Sequence, residues 1–290
     1  MSKKTKIEWT EATWNPISGC TKISDGCKNC YAEKMANRLK AMGTKGYENG
    51  FAVTLHREKL NEPLKRKKPT MYFVCSMGDL FHEDVPFEFI DKIIEKVEYS
   101  PHHTFQLLTK RPEIMKQYFE DRLLKSKKWN WILKNGMPKN LWLLVTVEDQ
   151  EQANKRIPIL LNTPAAVRGI SIEPTLGKIA LTAIKINDFG IIKGNQYINA
   201  LTGVESFYGS GENPHIQKYK PLDWVIVGGE TGAGARPLQY EWVKNIQKQC
   251  EAANVPFFFK KWGKLAQSNK SLIDGYIDGV ECRAMPEVLK

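Results

Sequence analysis

Six near-continuous apolar runs divide the chain: Met71–Cys75, Thr104–Leu108, Leu141–Val147, Val167–Ile172, Trp224–Val227 and Val255–Phe259. Runs of four to seven apolar residues are what strands buried on both faces of a parallel sheet look like. Helical periodicity lies between several of them, over Pro86–Tyr99, Pro112–Lys125, Gln150–Leu161 and Tyr240–Ala253. A shorter strand within Ile7–Ile17 precedes them all. Seven strands in βα order predict an α/β fold, a partial or complete (β/α) barrel read as one domain over residues 1–290. A further helix is expected over Tyr31–Met42, stopped by Gly43. Residues 44–70 read mostly as loop. The spacer 178–222, between the fifth and sixth main strands, is too long for a simple crossover and reads as an insertion, a lid or substrate-specificity element.

The polar positions gather where these runs end. The blocks are Ser76-Met77-Gly78-Asp79, Thr109-Lys110-Arg111-Pro112, Thr146-Val147-Glu148-Asp149, Ser171-Ile172-Glu173-Pro174, Gly228-Gly229-Glu230-Thr231-Gly232 and Lys260-Lys261-Trp262-Gly263. Chemistry in βα-barrels sits at the C-terminal strand ends. Any single residue there is equally a helix N-cap. Glu173 and Glu230 are candidate catalytic carboxylates and Lys260 a candidate catalytic amine. A buried carboxylate needs a cationic partner, and Lys110, Arg111 and Lys260 are available. Gly228 and Gly229 suit a close-approach loop beside a cofactor, although the run is neither a Walker A pattern nor G-x-G-x-x-G.

The chemistry is most concentrated earlier, in Gly19-Cys20-Thr21-Lys22-Ile23-Ser24-Asp25-Gly26-Cys27-Lys28-Asn29-Cys30-Tyr31. Three thiols spaced C-x6-C-x2-C lie within one short loop, with glycine before two of them; glycine permits positive φ and close backbone approach. Thiolates so placed ligate an iron–sulfur cluster. They also ligate zinc, with a distant fourth ligand such as His56 or His82. The remaining reading is a set of unliganded thiols. Cys75, Cys250 and Cys282 are scattered singly.

The motif Thr13-Trp14-Asn15-Pro16, Gly19-Cys20 and Gly26-Cys27-Lys28-Asn29-Cys30-Tyr31-Ala32 resembles the phage-associated three-Cys-motif family, a radical-SAM-like group. The strand-end blocks match it too, so the resemblance covers most of the chain outside 178–222. It implies a radical-SAM barrel in which Cys20, Cys27 and Cys30 hold a [4Fe-4S] cluster and leave one iron open for S-adenosyl-L-methionine. Cleavage of that cofactor to a 5′-deoxyadenosyl radical is the chemistry expected. The resemblance further implies Ser76 and Asp79 at the cofactor's amino group, Thr146 and Glu148 at its ribose, and an electron donor such as a reductase or flavodoxin. The usual radical-SAM spacing is C-x3-C-x2-C; here the first gap is longer.

Charge then points to a substrate. Lys plus Arg number 43 against 32 Asp plus Glu, a net +11, the footprint of a polyanion partner. Lys65-Arg66-Lys67-Lys68 and Lys125-Ser126-Lys127-Lys128-Trp129-Asn130-Trp131 place basic and aromatic side chains where phosphates and bases are bound. DNA is favoured over RNA, and with the family resemblance the expected reaction is modification of a base, for instance rearrangement of a hypermodified thymine in phage DNA. The alternatives are a radical-SAM lyase repairing a DNA lesion and a zinc-stabilised nucleic-acid-binding protein without catalysis. No signal peptide or membrane span is visible, so a cytoplasmic protein is expected, in the host cytoplasm for a phage gene.

Overall fold

The computed structural model describes residues 5–125, 137–186, 195–208, 215–268 and 272–287. The Lys125–Trp131 basic and aromatic stretch falls almost wholly outside them. Packing divides the chain into two compact units, Met1–Leu144 with Pro164–Ala166, and Val145–Thr163 with Val167–Lys290.

In the first unit, β1 (Ala12–Trp14), β2 (Met71–Val74) and β3 (Thr104–Thr109) are followed by β4 (Leu141–Thr146), inside which the division falls. Their order is β1-β2-β3-β4. β1 and β2 are parallel with Ala12 opposite Tyr72, and β2 and β3 are parallel with Tyr72 opposite Phe105. That register stacks the Tyr72 and Phe105 rings at 5.5 Å and sets Trp14 edge-on to Phe105 at 5.7 Å. Three helices belong here: α1 (Tyr31–Ala41), α2 (Phe87–Glu98) and α3 (Pro112–Lys125). α2 buries Phe89, Ile90, Ile93, Ile94 and Val97, one apolar stripe. Each such side chain contributes about 1.5–3 kcal/mol on burial. The stop at Gly43 is a Schellman cap: Gly43 has φ 65, Thr44 N–H donates to Leu39 O at 3.0 Å and Gly43 N–H to Lys40 O at 2.9 Å. Residues 44–70 carry two 3-10 turns and the strand Thr54–Leu55, which pairs antiparallel with Ile17–Ser18.

The second unit continues with β5 (Val167–Ile172). The segment 178–222 then carries β6 (Ile184–Ile186), β7 (Asn195–Asn199), β8 (Val204–Tyr208) and β9 (His215–Gln217), an antiparallel sheet of its own in the order β9-β8-β7-β6. β10 (Trp224–Gly228) and β11 (Phe257–Lys261) follow, and the parallel order here is β4-β5-β10-β11. The helices are α4 (Gln150–Leu161) and α5 (Tyr240–Ala252). Asp149, from the strand-end block, is the N-cap of α4 and accepts from Gln152 N–H at 2.8 Å. The start of the 178–222 segment is fastened to the helices: Leu181 N–H donates to Gln249 Oε1 at 2.7 Å and Lys185 N–H to Asn154 Oδ1 at 3.0 Å.

Two buried histidines give the first unit an acid-sensitive stability. Burial, then Lys59, lowers the His56 pKa below 6.5. Burial likewise lowers that of His103, with His102 adding to it and the Pro63 carbonyl opposing. The unfolded chain therefore binds more protons below 6.5 than the folded one, so this stability is complete above about pH 6.5 and is lost as pH falls through the folded values. The urea midpoint is expected to fall between pH 7 and pH 5. The fall should shrink in His56→Gln, whose amide still reaches Ser18 but cannot titrate in this range. An unchanged pH slope in that variant would refute the assignment.

Candidate metal centre

The cysteine loop leaves β1 through a backbone contact that only glycine permits. Gly19 has φ +89, and a Cβ there would lie 2.2 Å from Ala52 O. Across from it, a Cβ on Gly78 would lie 2.8 Å from Gly19 O. Gly19 N–H donates to Met77 O at 2.9 Å, and Cys20 N–H to Phe51 O at 3.2 Å. Asn15, from the same motif, holds the other side: its Oδ1 accepts from Ser76 Oγ and Met77 N–H, both at 3.1 Å. Gly26, by contrast, lies in a 3-10 turn, Asp25–Cys27. Cys30 is the N-cap residue of α1, and its thiol makes no capping bond.

All three thiols are free and half-buried. Cys20 Sγ lies 3.3 Å from Arg111 Nη1. Burial, then Asp79, pushes the Cys20 pKa up to about 11 against the pull of Arg111. Burial also raises that of Cys27, but Lys110 and hydrogen bonds from Ile23 and Ser24 outweigh it, and the net shift is down. Lys22 adds positive charge near Cys27 and Cys30. Since the thiolate is the reactive form, iodoacetamide is expected to alkylate Cys27 before Cys20 at pH 8 in cluster-free protein. Peptide mass spectrometry reads the order, and equal rates would contradict it.

Asp79 is buried and densely held. It accepts from Thr109 Oγ1 at 2.7 Å, Phe81 N–H at 3.0 Å, Lys110 N–H at 3.2 Å and Arg111 Nη1 at 3.4 Å. The two histidines considered as fourth ligands are engaged elsewhere. His56 Nε2 is 2.7 Å from Ser18 Oγ. His82 Nδ1 accepts from Asp84 N–H, which leaves the Nε2–H of the neutral ring to donate to Thr21 Oγ1 at 2.9 Å. Among the described residues, no three His, Cys, Asp or Glu side chains converge as they would on a single metal ion.

The second unit holds the remaining sequence candidates in three ion pairs. Glu173 accepts from Lys260 Nζ at 2.7 Å, with Lys261 Nζ at 3.8 Å. Glu230 is paired with Arg236, whose Nη2 lies 2.8 Å from Oε1 and whose backbone N–H lies 2.8 Å from Oε2. Glu148 is fully buried against Arg156 Nη1 at 2.8 Å, and that nitrogen also donates to Thr146 O at 2.8 Å. A Cβ on Gly228 would stand 3.3 Å from Glu173 Cδ, and one on Gly229 would stand 2.2 Å from Trp262 O. Both glycines thus serve close approaches within this unit. Arg156 and Arg236 were not expected as partners; nor was Arg111 at Cys20.

A family model described as "Protein of unknown function (DUF5131)" matches residues 4–286. The chain belongs to that family. No curated protein matches this DUF5131 chain in sequence. Solved structures of spore photoproduct lyase resemble it in part. A cysteine mutant of the lyase matches with TM-score 0.39 and 12% identity, over 60% of this chain and 48% of that one. The lyase complexed with dinucleoside spore photoproduct matches with TM-score 0.38 and 10% identity over the same shares. The match therefore spans about half the length of the lyase. Among the described residues of this DUF5131 protein, no helix is long and apolar enough to cross a membrane.

Proposed function

We propose that this protein is a radical S-adenosyl-L-methionine enzyme whose [4Fe-4S] cluster is held by Cys20, Cys27 and Cys30 and whose substrate is a base in DNA. The observation that carries the reading is the cysteine loop: three half-buried thiols between Gly19 and α1, with cations set against them. The donor set fits such a cluster. Thiolates are its usual ligands, and Arg111, Lys110 and Lys22 offset their negative charge. When bound, the cluster supplies the electron that converts S-adenosyl-L-methionine to a 5′-deoxyadenosyl radical and methionine.

The protein's own contribution begins at the loop. Gly19 and Gly78 bring the two backbones together, Asn15 fixes Ser76 and Met77, and Arg111 and Thr21 tie the first thiol to the end of β3. Asp79, fixed by four donors, and Ser76, three residues before it, are the residues proposed for the cofactor's amino group. A nucleic-acid substrate is supported by the net charge of +11. Exposed Lys22, Lys28, Lys34 and Arg38 flank the thiols, and Tyr31, 69% exposed, offers a ring for a base to stack on. Rearrangement of an adduct on a thymine methyl carbon is the reaction to assay first, with cleavage of a thymine lesion as the competing outcome.

The test is iron, sulfide and zinc analysis of anaerobically purified protein, followed by assay of 5′-deoxyadenosine with duplex and single-stranded DNA. About four irons and four sulfides per chain, with reductant-dependent 5′-deoxyadenosine, is the expected result. Stoichiometric zinc without sulfide would overturn it in favour of a binding protein.

A further inference from the structure

Arg111 lies at the end of β3 and is 3% exposed. A guanidinium carries five N–H donors, and every one of them is directed at an acceptor. Nε–H meets both oxygens of Glu83 at 3.0 and 2.9 Å. Nη1 reaches Cys20 Sγ at 3.3 Å and Asp79 Oδ2 at 3.4 Å. Nη2 reaches Thr21 O at 3.3 Å and Thr21 Oγ1 at 2.7 Å. Its backbone N–H is held as well, by Thr109 Oγ1 at 2.9 Å. A side chain with its whole donor set engaged keeps none in reserve to clamp a phosphate or carboxylate of a ligand. It is instead a rigid positive charge with one N–H aimed at a sulfur.

We propose that Arg111 is a positioning residue that raises the reduction potential of the cluster held by Cys20, Cys27 and Cys30, through its Nη1–H···Sγ hydrogen bond to Cys20. The inference rests on the reading of the cysteine loop given above. Reduction adds one electron, from dithionite or a low-potential donor protein, with no bond made or broken in the protein. The added negative charge spreads onto the ligating sulfurs. A fixed cation donating to one of them stabilises the reduced state more than the oxidised state. Glu83, Asp79 and Thr21 determine where that cation stands.

The experiment is an EPR-monitored dithionite titration of reconstituted wild type, Arg111→Gln, Arg111→Lys and Glu83→Gln, each first analysed for iron and sulfide. Arg111→Gln is expected to keep its cluster and to shift to a more negative midpoint potential. Arg111→Lys keeps the charge without the fork and should fall between the two. Glu83→Gln loosens the guanidinium and should shift the same way by less. An Arg111→Gln protein with full iron and sulfide and an unchanged midpoint would overturn the proposal while leaving the cluster reading intact. Should Arg111→Gln fail to load, Arg111→Lys and Glu83→Gln decide: unshifted midpoints in both overturn it. Wild-type protein that takes up no iron and sulfide removes the cluster reading, and this proposal with it.

Discussion

Cys27→Ala protein is expected to purify without iron or sulfide and to form no 5′-deoxyadenosine. Cys27 is more disposed to ionise than Cys20 before metal arrives, because Lys110 and hydrogen bonds from Ile23 and Ser24 overcome the effect of burial at Cys27, while burial and Asp79 prevail at Cys20. Ligation needs thiolates, so a thiol whose surroundings ease its ionisation is suited to ligate early. Three protein ligands leave no spare. Removing a hydrogen-bond partner of a metal ligand costs about 10–100-fold in affinity or activity, and removing a ligand costs more. The loss should therefore exceed about 100-fold, to background. The chain should still fold: Cys27 lies in a half-buried loop turn, outside the packing of β1, β2 and β3. Cys250→Ala is the control. That thiol is buried on α5, where burial raises its pKa to about 12, and its loss should leave iron and sulfide unchanged. Full iron and sulfide in Cys27→Ala would remove the triad as the metal centre.

The strands were readable because burial on both faces writes a strand as an unbroken apolar run. β5 begins and ends where the run does, and all six residues of β4 are buried. β11 shows where that rule slips. The apolar run Val255–Phe259 suggests a strand starting too early, since Pro256 has no N–H to give the ladder. Pairing extends instead into Lys260 and Lys261, and a register shift after Val227 sets Gly228 opposite Lys261. The four strands within 178–222 carry no comparable run. They are an antiparallel sheet of mixed residues such as Asn195-Gln196-Tyr197-Ile198-Asn199, which carries no strand pattern and reads only as part of an insertion.

The candidate site divides the same way. Cysteine spacing is local and legible, whereas the partner of a charged group is not. Arg111, 91 residues from Cys20 in sequence, is expected beside some carboxylate; nothing in the sequence aims its Nη1 at a thiol. Glu230 looked as though it needed a remote cation. Its partner Arg236 lies six residues on, because Gly232 at φ +89 and Gly234 at φ +77 turn the chain back on itself. Asn15 carried no visible task until its side chain was seen to hold Ser76 and Met77.

Glu148→Gln is expected to lower folding stability by about 3–5 kcal/mol, the usual cost of removing one partner from a buried ion pair. Glu148 is 0% exposed and Arg156 2% exposed, and they meet at 2.8 Å. The amide keeps the shape of the carboxylate and leaves the guanidinium charge buried without its counter-ion. Arg156→Met should cost a similar amount for the mirror-image reason. The double variant Glu148→Met with Arg156→Met should recover most of the loss, because an apolar pair carries no desolvation penalty. Denaturant midpoints measured without S-adenosyl-L-methionine read this directly. The same variants separate the two roles open to Glu148. A carboxylate that binds a ribose loses cofactor affinity on substitution, whether or not the fold weakens. A structural counter-ion loses stability whether or not the cofactor is present. The engagement of Arg156 by both Glu148 and the Thr146 carbonyl favours the second. Unchanged stability in Glu148→Gln, together with weakened binding of S-adenosyl-L-methionine, would return Glu148 to the ribose.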